Sequence, residues 1–193
     1  DVRGGSPATR ETDLLDPVNM IQQIHAIVLS GGSAFGLDSC SGVMKYLEEQ
    51  GIGFDVQVAK VPIVCGACLF DLAIGSPNIR PNLEMGYKAA ENANKENCPN
   101  GNVGAGCGAT VGKYLGPDFA MKGGLGTYAL QIGDLQVGAI VAVNCFGDVI
   151  DPDDNNKIIA GMRKNDKFMN IEQIMINNYD DKTNLFSGNT TIG

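Results

Sequence analysis

Between Ile24 and Gly51 the spacing of the apolar residues changes period, and that change limits how the chain can fold more than any other stretch. Ile24-His-Ala-Ile-Val-Leu29 is a short, partly β-branched run that ends at Ser30-Gly31-Gly32-Ser33, the punctuation of a strand leaving a sheet. Leu37, Cys40, Val43, Met44 and Leu47 then recur at helical spacing, with Lys45, Glu48 and Glu49 between them and Gly51 as a stop. A strand, a glycine turn and an amphipathic helix are expected in direct succession. The turn has two readings. Backbone N–H groups at Gly31, Gly32, Ser33 and Ala34 can face an anionic or carbonyl ligand at the helix start, or glycine serves a tight strand-to-helix turn alone. His25, the single histidine, reads as a satisfied core or edge residue rather than a base.

Residues 1 to 20 carry Gly4-Gly5, Pro7, Pro17 and alternating charges, and read as a loop. Ile63 to Leu72 is a second apolar run, with Cys65-Gly-Ala-Cys68 inside it. Zinc needs four ligands and a redox pair needs an exposed thiol, so these cysteines read as buried strand thiols. Asn82 to Ala93 reads as a second helix, with Leu83, Tyr87, Ala90 and Ala93 on one face. The segment Gly101 to Lys113 is the most glycine-dense. Cys107 occupies the first glycine position of a phosphate loop and Tyr114 replaces its hydroxyl, which rejects a nucleotide site. The segment reads instead as a Gly-rich strand that brings Lys113 close to a polar centre, or as a strand ending in a solvated lysine. Thr127 to Ile132 and Val137 to Val143 form a hairpin around Gly133 to Gln136. Asn144 follows the second strand directly, placed either to donate its amide N–H to a developing oxyanion or to make a turn.

From Asp151 the chain turns polar, with one short helix candidate around Ile171 to Ile176, and reads as a mobile connector. It leads into Gly188-Asn189-Thr190-Thr191-Ile192-Gly193. A hydroxyl residue after Gly-Asn suits a self-cleaving bond, with Gly188 as the turn and Thr190 as the nucleophile; the other reading is a polar tail or a glycosylation acceptor. The net charge of −8, a pI near 4.5 and the lack of any Lys/Arg block argue against a nucleic-acid partner. No apolar stretch reaches the ~18 residues of a membrane span. The six cysteines mostly sit inside apolar or Gly-rich runs, as free thiols of a reducing compartment do. A soluble, cytoplasmic protein is expected.

Several long, ordered motifs carry a resemblance: Asp1 to Leu15, Leu29-Ser-Gly-Gly-Ser-Ala-Phe-Gly-Leu-Asp38, Gly101-Asn-Val-Gly-Ala-Gly, Gly123-Gly-Leu-Gly, Val143-Asn144 and Gly188-Asn-Thr-Thr-Ile. Together they resemble the S58 (P1) peptidases, which include the L-aminopeptidase/D-amidase-esterases, the β-aminopeptidases and the 6-aminohexanoate-oligomer hydrolases. The resemblance implies an α/β fold, a four-layer α/β/β/α sandwich similar to N-terminal-nucleophile hydrolases. It implies a precursor that cuts itself between Asn189 and Thr190, with Thr190 as the new N-terminal nucleophile. Lys113 matches a lysine of the family site, and Asn144 the asparagine of its oxyanion hole. Phe35 stands where some members carry a tyrosine that touches the site, and with Gly32 and Ser33 it is a candidate for substrate binding. No metal or organic cofactor is implied.

Family chains continue beyond the nucleophile, so the sandwich is expected to be incomplete here. The organisation implied is a core over residues 1–150, a connector over 151–189 ending at the cut, and the start of a β part at 190–193. The partners implied are a small peptide or amide substrate, the β part of the same precursor, and further αβ units in a homo-oligomer, often a tetramer. Two other readings are an acyl transferase of the ornithine-acetyltransferase type, which shares a self-cleaving Thr, and an inactive binding relic.

Overall fold

The computed structural model describes residues 1–95, 98–180 and 190–193. The chain separates into two units: Pro7–Cys98, and Asp1–Ser6 together with Pro99–Gly193. The opening strand β1 (Val2–Gly4) belongs to the second of them. The unit Pro7–Cys98 runs β2 (Ala8–Arg10), β3 (Ala26–Ser30), helix α1 (Asp38–Glu49), a small hairpin of β4 (Phe54–Asp55) and β5 (Lys60–Val61), β6 (Val64–Cys68) and helix α2 (Leu83–Glu91). β6 lies in the middle of its sheet. β3 runs parallel to it, with Ala26 opposite Val64, and β2 runs antiparallel, with Ala8 opposite Cys68. Every residue of β6 is buried, which is why Val-Cys-Gly-Ala-Cys shows no polar alternation.

The expected strand, turn and helix are present, with a 3-10 turn at Ser33–Leu37 leading into α1. Cys40, Val43 and Leu47 of α1 form a buried cluster with Val64 of β6. α2 starts at a side-chain cap: Asn82 Oδ1 accepts the Met85 N–H at 3.0 Å. The two helices meet through glycines. A Cβ at Gly42 would run into the Leu83 carbonyl oxygen, and one at Gly86 into that of Ser39. His25 is satisfied at the sheet edge, its Nδ1 accepting the Ile63 N–H at 3.0 Å.

The second unit continues with β7 (Thr110–Val111), β8 (Met121–Lys122), β9 (Gly124–Ile132), β10 (Leu135–Val143), β11 (Val149–Asp151), β12 (Lys157–Ala160), β13 (Arg163–Lys164), β14 (Lys167–Phe168), helix α3 (Ile171–Asn177) and β15 (Thr190–Ile192). Its main sheet has the order β1-β15-β10-β9. β9 and β10 are the expected hairpin, closed by a two-residue loop in which Gly133 has φ of 60°. Both strands reach further than their apolar runs. The stretch from Asp151 to Asp180, read above as a connector, carries two small hairpins, β11–β12 and β13–β14, and α3 at the place expected for a helix.

Two expectations about local structure change. The Gly-rich segment is strand only at Thr110–Val111, and Gly104–Gly106 is a 3-10 turn. Its backbone groups pair instead with Leu125, where the Gly101 N–H donates to the Leu125 carbonyl at 2.7 Å. The first 20 residues, expected as loop, include β1 and β2. Each has three residues, too few to show a period, and takes its extended form from a partner strand: β15 for β1 and β6 for β2. No helix among the described residues is long and apolar enough to cross a membrane.

Candidate active site

Asn144 comes immediately after β10 and is fully buried, at 0% exposure. A buried amide must find partners for its polar atoms, and here they are specific. Oδ1 accepts from Lys113 Nζ at 2.7 Å and from the Thr110 N–H at 3.0 Å, with Thr110 Oγ1 at 3.5 Å. Donors on Oδ1 fix which end of the amide is oxygen and turn the NH2 edge the other way. The main-chain oxygen of Asn144 accepts from the Thr190 N–H at 3.0 Å and from Lys113 Nζ at 3.2 Å. One residue thus holds the candidate nucleophile's nitrogen through its backbone and the lysine through both its oxygens.

Backbone pairing brings these groups together. Lys113 N–H donates to the Phe146 carbonyl and Gly112 N–H to that of Gly147, each at 2.9 Å, so residues 112–113 lie alongside 146–147. Thr190 is inserted from a third direction. It is the first residue of β15, 3% exposed, opposite Gly4 of β1, while Ile192 two residues on lies opposite Ala142 of β10. The structure therefore brings together Lys113, Asn144 and Thr190, and Lys113 is the lysine at a polar centre rather than a solvated one. Asn189 and Gly188 lie outside the described residues. Thr110 was not singled out in the sequence, because a backbone N–H donor leaves no mark in residue type.

The remaining candidates, Gly32, Ser33 and Phe35, lie in the Pro7–Cys98 unit. Gly32 and Ser33 have φ of 81° and 55°. The Gly32 N–H donates to Asp71 Oδ1 at 2.7 Å and the Ser33 N–H to the Leu69 carbonyl at 3.0 Å, so both donors tie the turn to the segment that follows β6. Phe35 is 56% exposed, and the Arg80 guanidinium stacks 3.7 Å from its ring centroid.

Beside the site, burial pushes the Cys145 thiol up, against the pull of Lys113. In β6, burial pushes Cys68 up to about 12 and raises Cys65 as well, which fits inert strand thiols rather than a redox pair. Among the described residues no three His, Cys, Asp or Glu side chains gather as a metal-binding group. A cavity of about 510 Å³ adjoins the residues after Asn144, walled by Phe146, Ile150, Ile158 and Met175 with Glu172 among its lining.

A hydroxyl, an amide held by its oxygen end and an ammonium are the parts that acyl transfer uses: a nucleophile, an oxyanion donor and a fixed positive charge. The pattern that defines peptidase family S58 matches residues 1–191, and the chain belongs to that family. Among similar proteins, an uncharacterized aminopeptidase of Mycobacterium bovis is 46% identical over 154 residues, covering 79% of this chain and 42% of that protein. One from Mycobacterium leprae is 44% identical over 159 residues, covering 78% and 42%. A 6-aminohexanoate-oligomer endohydrolase of Kocuria sp. is 32% identical over 127 residues, covering 66% and 35%. The chain spans less than half the length of these relatives.

Proposed function

We propose that the protein is an amide hydrolase that works by acyl transfer, with Thr190 as a nucleophile released by self-cleavage. The observation that carries this reading is the single Asn144 carbonyl that accepts both the Thr190 N–H and Lys113 Nζ, with the Asn144 amide fixed beside them. In maturation, Thr190 Oγ attacks the Asn189 carbonyl, the peptide C–N bond breaks with its proton going to the nitrogen of Thr190, and water hydrolyses the resulting ester. The freed α-amine then takes the proton from Thr190 Oγ as that oxygen attacks a substrate amide. The NH2 edge of Asn144 donates to the oxyanion, the leaving amine departs protonated, and water releases the acyl group. Lys113 holds the amide oxygen of Asn144 and contributes positive charge.

The names of the relatives, aminopeptidase and oligomer hydrolase, support short peptides, amino-acid amides or oligoamides as substrates. The acidic net charge of −8 favours substrates with a free amine. The cavity beside Phe146, with apolar walls and the Glu172 carboxylate, suits a short aliphatic chain carrying that amine. The four-layer sandwich belongs to the same proposal. Tyr128, Leu130, Ile132, Leu135 and Val137 share one exposed face of the β9–β10 hairpin, the kind of surface a second layer covers. Replacing Thr190 with Ala in the full-length protein is expected to leave one uncut chain on a denaturing gel and no amidase activity. Normal cutting in that variant would overturn the assignment.

A further inference from the structure

The Gly-rich loop before Thr110 ends in a set of carbonyls, and the side chain of Lys122 gathers them. Its Nζ donates to the Cys107 oxygen at 2.6 Å, the Ala109 oxygen at 2.9 Å and the Gly106 oxygen at 3.3 Å. An ammonium offers three donors on a flexible stem, so one lysine can draw in three carbonyls; the planar fork of an arginine fits such a converging set less well. Lys122 sits on β8 directly opposite Thr110 on β7. The neighbouring Gly123 N–H adds a bond to the Ala109 oxygen at 2.8 Å. The next N–H along the loop is that of Thr110, which donates to Asn144 Oδ1 at 3.0 Å.

We propose that Lys122 is a positioning residue for the reaction: by fixing the carbonyls of Gly106, Cys107 and Ala109 it sets the Thr110 backbone, and through the Thr110 N–H it orients the Asn144 amide. The inference rests on the reading of Asn144 as the oxyanion donor. The two lysines divide the work. Lys113 binds Asn144 directly, whereas Lys122 acts one residue removed, through Thr110. Lys122 leaves no functional signal in the sequence, since it follows Met121 in a two-residue strand.

The test uses the cut, full-length protein, with concentration set by the amount of chain that begins at Thr190, and an amino-acid p-nitroanilide as probe. Asn144→Asp keeps the acceptor oxygen and removes the donor NH2, and is expected to lower kcat by about 100- to 1000-fold. Lys122→Met is expected to lower kcat by about 10- to 100-fold, the loss that follows a displacement of about 1 Å in a catalytic group. Its KM should stay within about twofold, because ground-state binding is not touched. Lys122→Arg, which keeps the charge, should recover part of the lost kcat and serves as the measurable variant where Lys122→Met does not fold. In the double variant Lys122→Met, Asn144→Asp, kcat should match that of Asn144→Asp alone, since Lys122 acts through Asn144.

Wild-type kcat in Lys122→Met, or a further loss in the double variant equal to that of the single, overturns the proposal. Wild-type kcat in Asn144→Asp overturns the reading of Asn144 on which it rests. The two failures are thereby distinguishable.

Discussion

Asn144 shows how a single residue can belong to both the core and the candidate site. At 0% exposure it behaves as a core residue, yet its two oxygens accept from Lys113, Thr110 and Thr190. An unsatisfied amide at that depth costs about 1–3 kcal/mol, so the same hydrogen bonds that aim the amide also keep the fold. Cys68 illustrates burial without chemistry. Its thiol is pushed up from an ordinary value of 9.0 to about 12, first by burial and then by the neighbouring Cys40 thiol. The native thiol keeps its proton where an unfolded one loses it, so this group's contribution to stability is fully present below about pH 9 and is lost as pH rises towards 12. Iodoacetamide labelling of native protein at pH 8.5, read by mass spectrometry, is expected to modify the exposed Cys98 and Cys107 and to leave Cys40, Cys65 and Cys68 unlabelled. Rapid labelling of Cys68 would contradict that reading. Cys65-Gly-Ala-Cys68 was legible as buried thiols because its neighbours are apolar, whereas the position of Lys113 and Asn144 at the ends of Gly-rich and apolar runs left each with two readings, and the family resemblance singled them out. Thr110 and Lys122 were not: one acts through its backbone, and the other gathers carbonyls that any sequence would carry.

Among the elements, α1 and α2 depend on two glycines more than on their apolar stripes. Gly42 and Gly86 each face the backbone of the other helix, with no room for a Cβ. Gly42→Ala sets two effects against each other. Helix propensity favours Ala by about 1 kcal/mol, whereas forcing a methyl against packed backbone costs about 1–3 kcal/mol and in this case moves a whole helix. With a whole helix to displace, the steric cost lies at the upper part of its range, about 2–3 kcal/mol, and thermal unfolding should show a net loss of about 1–2 kcal/mol relative to wild type. Gly5→Ala, where nothing lies within 4 Å of the new Cβ, supplies the control. A stabilised Gly42→Ala would mean that the helices do not meet there. Element type followed from period wherever a run was long enough: β3, α1, α2, α3 and the β9–β10 hairpin stand where the spacing puts them. The three-residue strands β1, β2 and β15 show no period of their own and are strands because a neighbour pairs with them.

For the molecule as a whole, the position of β15 bears on the cleavage proposed before Thr190. It is paired with β1 on one side and β10 on the other, so a cut before Thr190 leaves that ladder in place. On the proposed cleavage, the full-length protein is expected to run as one species in native size-exclusion chromatography and as two chains on a denaturing gel. Separation without denaturant would show that the strand does not hold. The sequence by itself determined membership in peptidase family S58, matched over residues 1–191, and the residue types at the candidate site. These were readable because apolar period, glycine punctuation and motif order are properties of neighbouring residues. Only the tertiary structure decided that Lys113, Asn144 and Thr190 meet, that the Gly32 and Ser33 N–H groups are taken by Asp71 and Leu69 after β6, and that Lys122 gathers the loop before Thr110. Such meetings depend on which backbone segments pair, residues 112–113 with 146–147 and β15 between β1 and β10. That pairing is set by long-range hydrogen bonds and burial, for which no local spacing is a proxy.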